Sequence, residues 1–178
     1  MLGGKAMKSA LVVLLFAASA LAQTPSGSAT SACGPKSASF DVKLDKTQHA
    51  LAQPDPGKAL VYFIQENGAV SRTGLDGAWV GANKNSSYFA ISVAPGEHHV
   101  CADVHTPRGI PGVPVEFLHF TAEAGNVYYF DARVVYGTGS YLFLGAVDSD
   151  QAKNLINSLP LSMSTPSTLK KDESFTQH

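Results

Sequence analysis

Apolar and polar residues alternate along much of the chain with the two-residue period of β-strands. Residues 39–44 show this pattern, with apolar side chains at Phe40, Val42 and Leu44, as in a strand that is buried on one face. Residues 59–64 are instead continuously apolar, which is typical of a central strand. Further strands are predicted at residues 88–93, 98–105, 116–122, 127–135 and 141–147.

One segment near the C-terminal end has a helical period. Its apolar residues recur at positions i, i+3, i+4 and i+7, which places them on one helix face: Ala152, Leu155, Ile156 and Leu159. Asp148, followed three residues later by Gln151, resembles a capping box, although Asp replaces the usual Ser or Thr. Pro160 ends the predicted helix.

These elements predict a mainly β protein, an antiparallel β-sandwich of about seven or eight strands with one C-terminal helix. A small closed barrel is the alternative. The sandwich domain, with its helix, is predicted to span residues 39–160. Residues 23–38 are rich in Ser, Thr, Ala, Gly and Pro and are predicted to be a flexible lead-in. Residues 161–178 are predicted to be a disordered tail.

The N-terminal end has the pattern of a secretory signal peptide over residues 1–22. Lys8 precedes an apolar run at 11–18, and Ala20-Leu21-Ala22 is a small-x-small cleavage site. We therefore expect export to the periplasm or the exterior, with cleavage after Ala22. The run is too short to remain as a transmembrane segment of the mature chain. The first cysteine, Cys33, stands eleven residues beyond Ala22, which argues against a lipid anchor.

The balance of basic and acidic residues bears on the class of partner that the protein can bind. The chain has 13 Lys and Arg against 14 Asp and Glu, a net charge of −1. A nucleic-acid-binding protein would normally be clearly basic. The charge balance therefore argues against nucleic acid as a partner, and an envelope protein or another cell-surface component is the expected partner.

The two cysteines predict a cross-link. An exported chain meets oxidants, so Cys33 and Cys101 are expected to form a disulfide. Within the strand around Cys101, Val100, Ala102 and Val104 occupy the obvious core face. Cys101 must then lie on the outer face, and the lead-in is predicted to run over the outside of the sheet.

The same strand raises an alternative, a metal site. His99, Cys101, Asp103 and His105 share its outer face, and all four residue types ligate zinc or copper. Side chains at i and i+2 are about 7 Å apart, however, so neighbouring strands would have to supply ligands. The default interpretation is a solvated polar face that holds neither a metal nor a cofactor.

The sequence lacks the motifs of a serine nucleophile and of a phosphate-binding loop. There is no G-x-S-x-G, and residues 137–140 (GTGS) lack the lysine of a phosphate-binding loop. We therefore expect no catalytic site. Trp79, the single tryptophan, is expected either to cap the core or to belong to an exposed contact patch.

The segment Thr106 to Pro114 is the candidate for a partner-binding loop. It contains three prolines, which reduce the entropy that a loop loses on becoming ordered. Arg108 lies beside the apolar residues Ile110 and Val113, a mixture that suits a protein partner. The alternative is a plain surface connection.

Four stretches in a fixed order carry a resemblance: 57–64 (GKALVYFI), 74–81 (GLDGAWVG), Tyr88-Phe89 leading to 95–98 (PGEH), and 124–130 (AGNVYYF). Over roughly residues 59–159 the chain resembles a bacterial domain-of-unknown-function family of exported proteins and lipoproteins. The resemblance implies a small sandwich of the PEGA or carboxypeptidase-regulatory type, which serves as a surface or carbohydrate-adjacent module without catalytic residues. The expected function is a structural or interaction module of the cell envelope. A small-ligand-binding or metal-binding periplasmic protein is the alternative.

Overall fold

The computed structural model describes residues 33–48, 52–104, 113–136 and 139–167. Within these ranges the chain forms ten β-strands in two sheets and one helix, numbered here in chain order. The predicted signal peptide and residues 23–32 of the predicted lead-in lie outside the described residues.

The two sheets have six and four strands. Across the six-stranded sheet the order is β1 (Ser39–Asp45), β10 (Leu161–Ser167), β5 (Ser87–Val93), β2 (Ala59–Gln65), β8 (Val127–Val135) and β9 (Tyr141–Ala146). Across the four-stranded sheet it is β4 (Ala78–Asn83), β3 (Ser71–Leu75), β6 (Gly96–Val104) and β7 (Glu116–Ala122). The helix, α1, spans Ser149–Ser158.

The structure confirms a mainly β fold of two sheets and corrects the prediction in two details. Asp76-Gly77 is a hairpin-type turn signal in the sequence, and the glycine-rich segment around it forms the hairpin β3–β4. With β10, which follows the helix, the described residues contain ten strands where seven or eight are predicted. The six-stranded sheet is also mixed, since β2 runs parallel to β8 and β10 runs parallel to β5. Alternation of side chains shows which face is buried, but it does not show in which direction the neighbouring strand runs.

The central strand β2 is buried on both faces. Val61 and Phe63 point into the core between the two sheets, whereas Tyr62 and its outer-face neighbours pack against Ala152 and Ile156 of α1. A strand covered by a sheet on one side and a helix on the other needs apolar residues at every position. This double cover explains the continuous apolar run at 59–64.

The predicted helix and its cap are confirmed. The Asp148 carboxylate accepts hydrogen bonds from the backbone N–H groups of Asp150, at 2.9 Å, and Gln151, at 3.3 Å. These bonds stabilise the charged carboxylate and so lower the pKa of Asp148. On the apolar face, Ala152 and Ile156 are fully buried.

The prediction of a disordered tail from residue 161 is wrong for residues 161–167, because β10 pairs with β1 along its whole length. Ser162 Oγ also donates to Ala82 O at 2.7 Å, and Ser164 Oγ accepts from Ala82 N–H at 3.1 Å. The serines of β10 make hydrogen bonds instead of forming an apolar face, so the composition of this segment resembles that of a disordered tail. The domain therefore extends to Ser167, and residues 168–178 lie outside the described residues.

Across the described ranges, the structure contains no helix with the length and apolar character that a membrane crossing requires.

Replacing Ile156 by alanine tests the docking of α1 on the six-stranded sheet. The substitution leaves a cavity beside Tyr62 and should lower the free energy of unfolding by about 2–5 kcal/mol. Asn157→Ala, at an exposed position on the same helix, is the control and should change it by less than about 0.5 kcal/mol. Urea unfolding of both variants provides the measurement. Equal urea midpoints for Ile156→Ala and Asn157→Ala would show that the docking of α1 does not depend on the Ile156 contact.

Candidate functional site

Residues 33–38, called the strap below, lie over the outer face of the four-stranded sheet. The disulfide between Cys33 and Cys101 joins the strap to β6, with the two Cα atoms 5.6 Å apart. Cys101 is fully buried on the face of β6 opposite to Val100 and Ala102, which pack in the core. The predicted disulfide is thus present, and the described part of the lead-in follows its predicted course.

Arg72 of β3 fixes the middle of the strap. Its Nη1 donates to the backbone carbonyls of Lys36, at 3.2 Å, and Ala38. Its Nη2 forms an ion pair with the Asp103 carboxylate. The guanidinium carbon lies 4.2 Å from the centroid of the Trp79 ring, within the range of a cation–π contact. Only 4% of Arg72 is exposed. These contacts and its burial fix the position of the guanidinium group.

Trp79 of β4 contacts the other half of the strap. Its Nε1 donates to the Pro35 carbonyl at 2.8 Å. Its ring lies so close to Gly34 that a Cβ added there would stand 2.4 Å from Trp79 Cδ1. Any other residue at position 34 would collide with the ring. Of the two alternatives for Trp79, the structure places it in the outer-face patch and not in a core cluster.

The strap and the sheet together leave an open cleft with a volume of about 480 Å³. Its lining residues, which define the cleft below, are Cys33, Gly34, Lys36, Arg72, Trp79, Asp103, Val115 and Phe117. Phe117 is 42% exposed, although it is a large apolar side chain. This size and this mixture of aromatic, apolar and charged groups are typical of binding pockets.

The described residues of the predicted metal face make other contacts in the structure. Cys101 is in the disulfide, Asp103 forms its ion pair, and His105 lies outside the described residues. The His99 ring faces the ring of His119 across β6 and β7, with 6.3 Å between their centroids. Among the described residues, no three His, Cys, Asp or Glu side chains are grouped so that they could hold a metal ion.

The residues of the predicted partner loop are described only in part. Arg108 and Ile110 lie outside the described residues. Val113 is half-buried and packs against the core cluster that contains Ala102 and Leu142. Val113 thus contributes to the core packing of the sandwich.

Sequence reasoning missed Gly34, Lys36, Arg72 and Phe117 as members of one site. Phe117 did carry a signal, because it stands on the polar face of β7, where its neighbours are His119 and Thr121. An exposed aromatic residue on a polar face marks a candidate contact surface.

Comparison of the chain with family models, with curated proteins and with solved structures finds no match. The resemblance described above therefore stays a prediction.

Replacing Gly34 by alanine tests the contact between the strap and Trp79. The new methyl group overlaps the indole ring, so the strap should move away from the sheet at a cost of about 1–3 kcal/mol of stability. Trp79 is the single tryptophan, and loss of its bond to Pro35 should shift its fluorescence emission to the red.

The matched control is Gly139→Ala, where an added Cβ meets no atom within 4 Å. Emission spectra and thermal melting of both variants provide the measurement. An identical emission maximum in the two variants would contradict the described contact.

Proposed function

We propose that this protein is an exported, non-enzymatic interaction module of the cell envelope, and that the cleft is its contact site. The proposed ligand is an apolar side chain of a partner protein. The observation that carries the proposal is the exposed aromatic residue Phe117 of the edge strand β7, which lines the same open cleft as Val115 and, on the far side of the strap, Trp79.

The composition of the cleft suits protein recognition. Tryptophan is enriched among the residues that dominate binding energy at protein interfaces. The strap holds Trp79 in place, so little side-chain entropy remains to be lost when a partner binds. An apolar group placed against Phe117 and Val115 would remove the exposed Phe117 ring from water.

The charges of the cleft support a binding role over a catalytic one. Arg72 and Asp103 form an ion pair, and Arg72 also holds two strap carbonyls. A general acid or base needs a proton-transfer group that is available to the substrate. The Asp103 carboxylate is instead paired with Arg72, the cation that holds the strap.

Export is supported by two independent features. The N-terminal residues have the pattern of a signal peptide. The disulfide between Cys33 and Cys101 is of the kind that persists in oxidising compartments. A module with this cross-link suits the periplasm or the cell exterior.

Replacing Phe117 by alanine tests the cleft as the contact site. Peptides are first selected on the oxidised protein by phage display, and their affinities are then measured from the change in Trp79 emission. Phe117→Ala removes an exposed aromatic wall without opening the core, so it should weaken binding at least tenfold while the melting temperature stays nearly constant.

Met163→Ala is the control, because Met163 is also exposed, at 45%, but lies on the outer face of the six-stranded sheet. It should leave the affinity unchanged. Selected peptides that bind both variants equally, or that bind without changing Trp79 emission, would place the contact site elsewhere.

A further inference from the structure

Two histidines stand side by side on the outer face of the four-stranded sheet. His99 of β6 and His119 of β7 are directly opposite in the antiparallel pairing, and the centroids of their rings are 6.3 Å apart. Opposite residues of such a pair have their Cβ atoms about 4.5–5.5 Å apart and on the same face. The two imidazoles therefore reach the same point on the sheet surface.

Both rings are accessible from solvent. The side chain of His99 is 43% exposed, and His119 is also exposed. The Glu97 carboxylate lies on the same face, with one oxygen 3.8 Å from His99 Nε2, which is beyond hydrogen-bond distance. A neutral imidazole has one nitrogen with a free electron pair, and this nitrogen can ligate a metal ion. Each ring can therefore turn such a nitrogen toward a shared ion.

The adjacent His98 is different, although it belongs to the same strand. Its Nδ1 lies 2.6 Å from a carboxylate oxygen of Asp76, and its Nε2 lies 2.8 Å from the carbonyl oxygen of Ala94. The side chain is only 12% exposed. Both nitrogens of His98 thus have partners within the protein, and this ring is not available to an ion from solvent.

From this arrangement we infer that His99 and His119 together bind one divalent transition-metal ion, and that Cu²⁺ is bound most tightly. Imidazole nitrogen suits Zn²⁺, Ni²⁺ and Cu²⁺, and affinity is highest for Cu²⁺ in the general order of these ions. The Glu97 carboxylate adds a negative charge beside His99, which attracts a cation.

The distance between the rings fits a shared ion. Two nitrogens that each lie about 2.0–2.1 Å from one Zn²⁺ are at most about 4.2 Å apart. The ring atoms that face each other are closer than the centroids, so small rotations of two exposed rings reach this separation from 6.3 Å. The remaining ligands are water molecules, because the described residues include no third His, Cys, Asp or Glu placed to complete a three-residue metal site. Neither histidine lines the cleft, so the ion site is separate from it.

The experiment adds half an equivalent of Cu²⁺ to the oxidised protein, so that the tightest site is filled first. The electron paramagnetic resonance spectrum should show coupling to two imidazole nitrogens. Strand pairing in the folded protein brings the two ligands together, so saturating Cu²⁺ should also raise the melting temperature. Coupling to a single nitrogen would overturn the inference without any variant being made.

His99→Ala and His119→Ala test the two ligands separately by calorimetric titration with Cu²⁺. Each should lower the affinity about tenfold or more, because the remaining histidine no longer binds as part of a chelate. Both positions lie on the surface, so the melting temperature without metal should change little. His98→Gln is the matched control, since it removes a histidine from the same strand but keeps the pair, and it should leave the affinity unchanged.

Three results would contradict the shared site. A loss in only one of the two variants would assign the ion to a single histidine. Unchanged affinity in both variants would place the ion elsewhere on the chain. A loss in His98→Gln as large as in His99→Ala would show that the pair is not the determinant. Phe117→Ala, which tests the cleft, should leave Cu²⁺ binding unchanged, so the ion site and the proposed function succeed or fail independently.

Discussion

The buried guanidinium of Arg72 sets a requirement that the surrounding residues meet at its Nη1 and Nη2 atoms. A buried cation is stable only where its charge and its N–H groups meet partners. Asp103 supplies the opposite charge and Trp79 supplies a ring, while the carbonyls of Lys36 and Ala38 come from the strap. The disulfide then holds the end of the strap in place. It joins residues 68 positions apart, so it lowers the entropy of the unfolded chain, and in the chain-entropy model this stabilises the folded state by roughly 4 kcal/mol.

The two sheets cover their outer faces by different means, and the cleft is a consequence. The six-stranded sheet is covered by α1, whose buried residues pack on Tyr62 and its neighbours. The four-stranded sheet is covered by the strap, a narrow segment that reaches Arg72 and Trp79 but leaves Phe117 exposed. A narrow cover leaves space between itself and β7. The bonds from Arg72 to the strap carbonyls and the disulfide hold the strap, which forms one wall of this space, in place.

The sequence predicts those features that depend on local pattern. The alternation at 39–44, the apolar run at 59–64 and the helical stripe ending at Leu159 correspond to β1, β2 and α1. The two cysteines allow one pairing, and the core face of β6 places Cys101 outward. The cleft is different, because Arg72 meets Lys36 and Asp103 across separations of 36 and 31 residues, which no periodicity records. β10 is missed for a related reason, since its serines are stabilised by distant carbonyl and amide groups.

The position of the strap is the central claim, and a nuclear Overhauser effect between Trp79 and Gly34 tests it most directly. The close approach of these two residues predicts a strong cross-peak between the Trp79 ring proton on Cδ1 and the Gly34 Hα protons in the oxidised protein. The cross-peak should weaken or vanish when both cysteines are replaced by serine, because the strap then keeps only its hydrogen bonds. An oxidised protein with an intact Cys33–Cys101 bond and no such cross-peak would contradict the account.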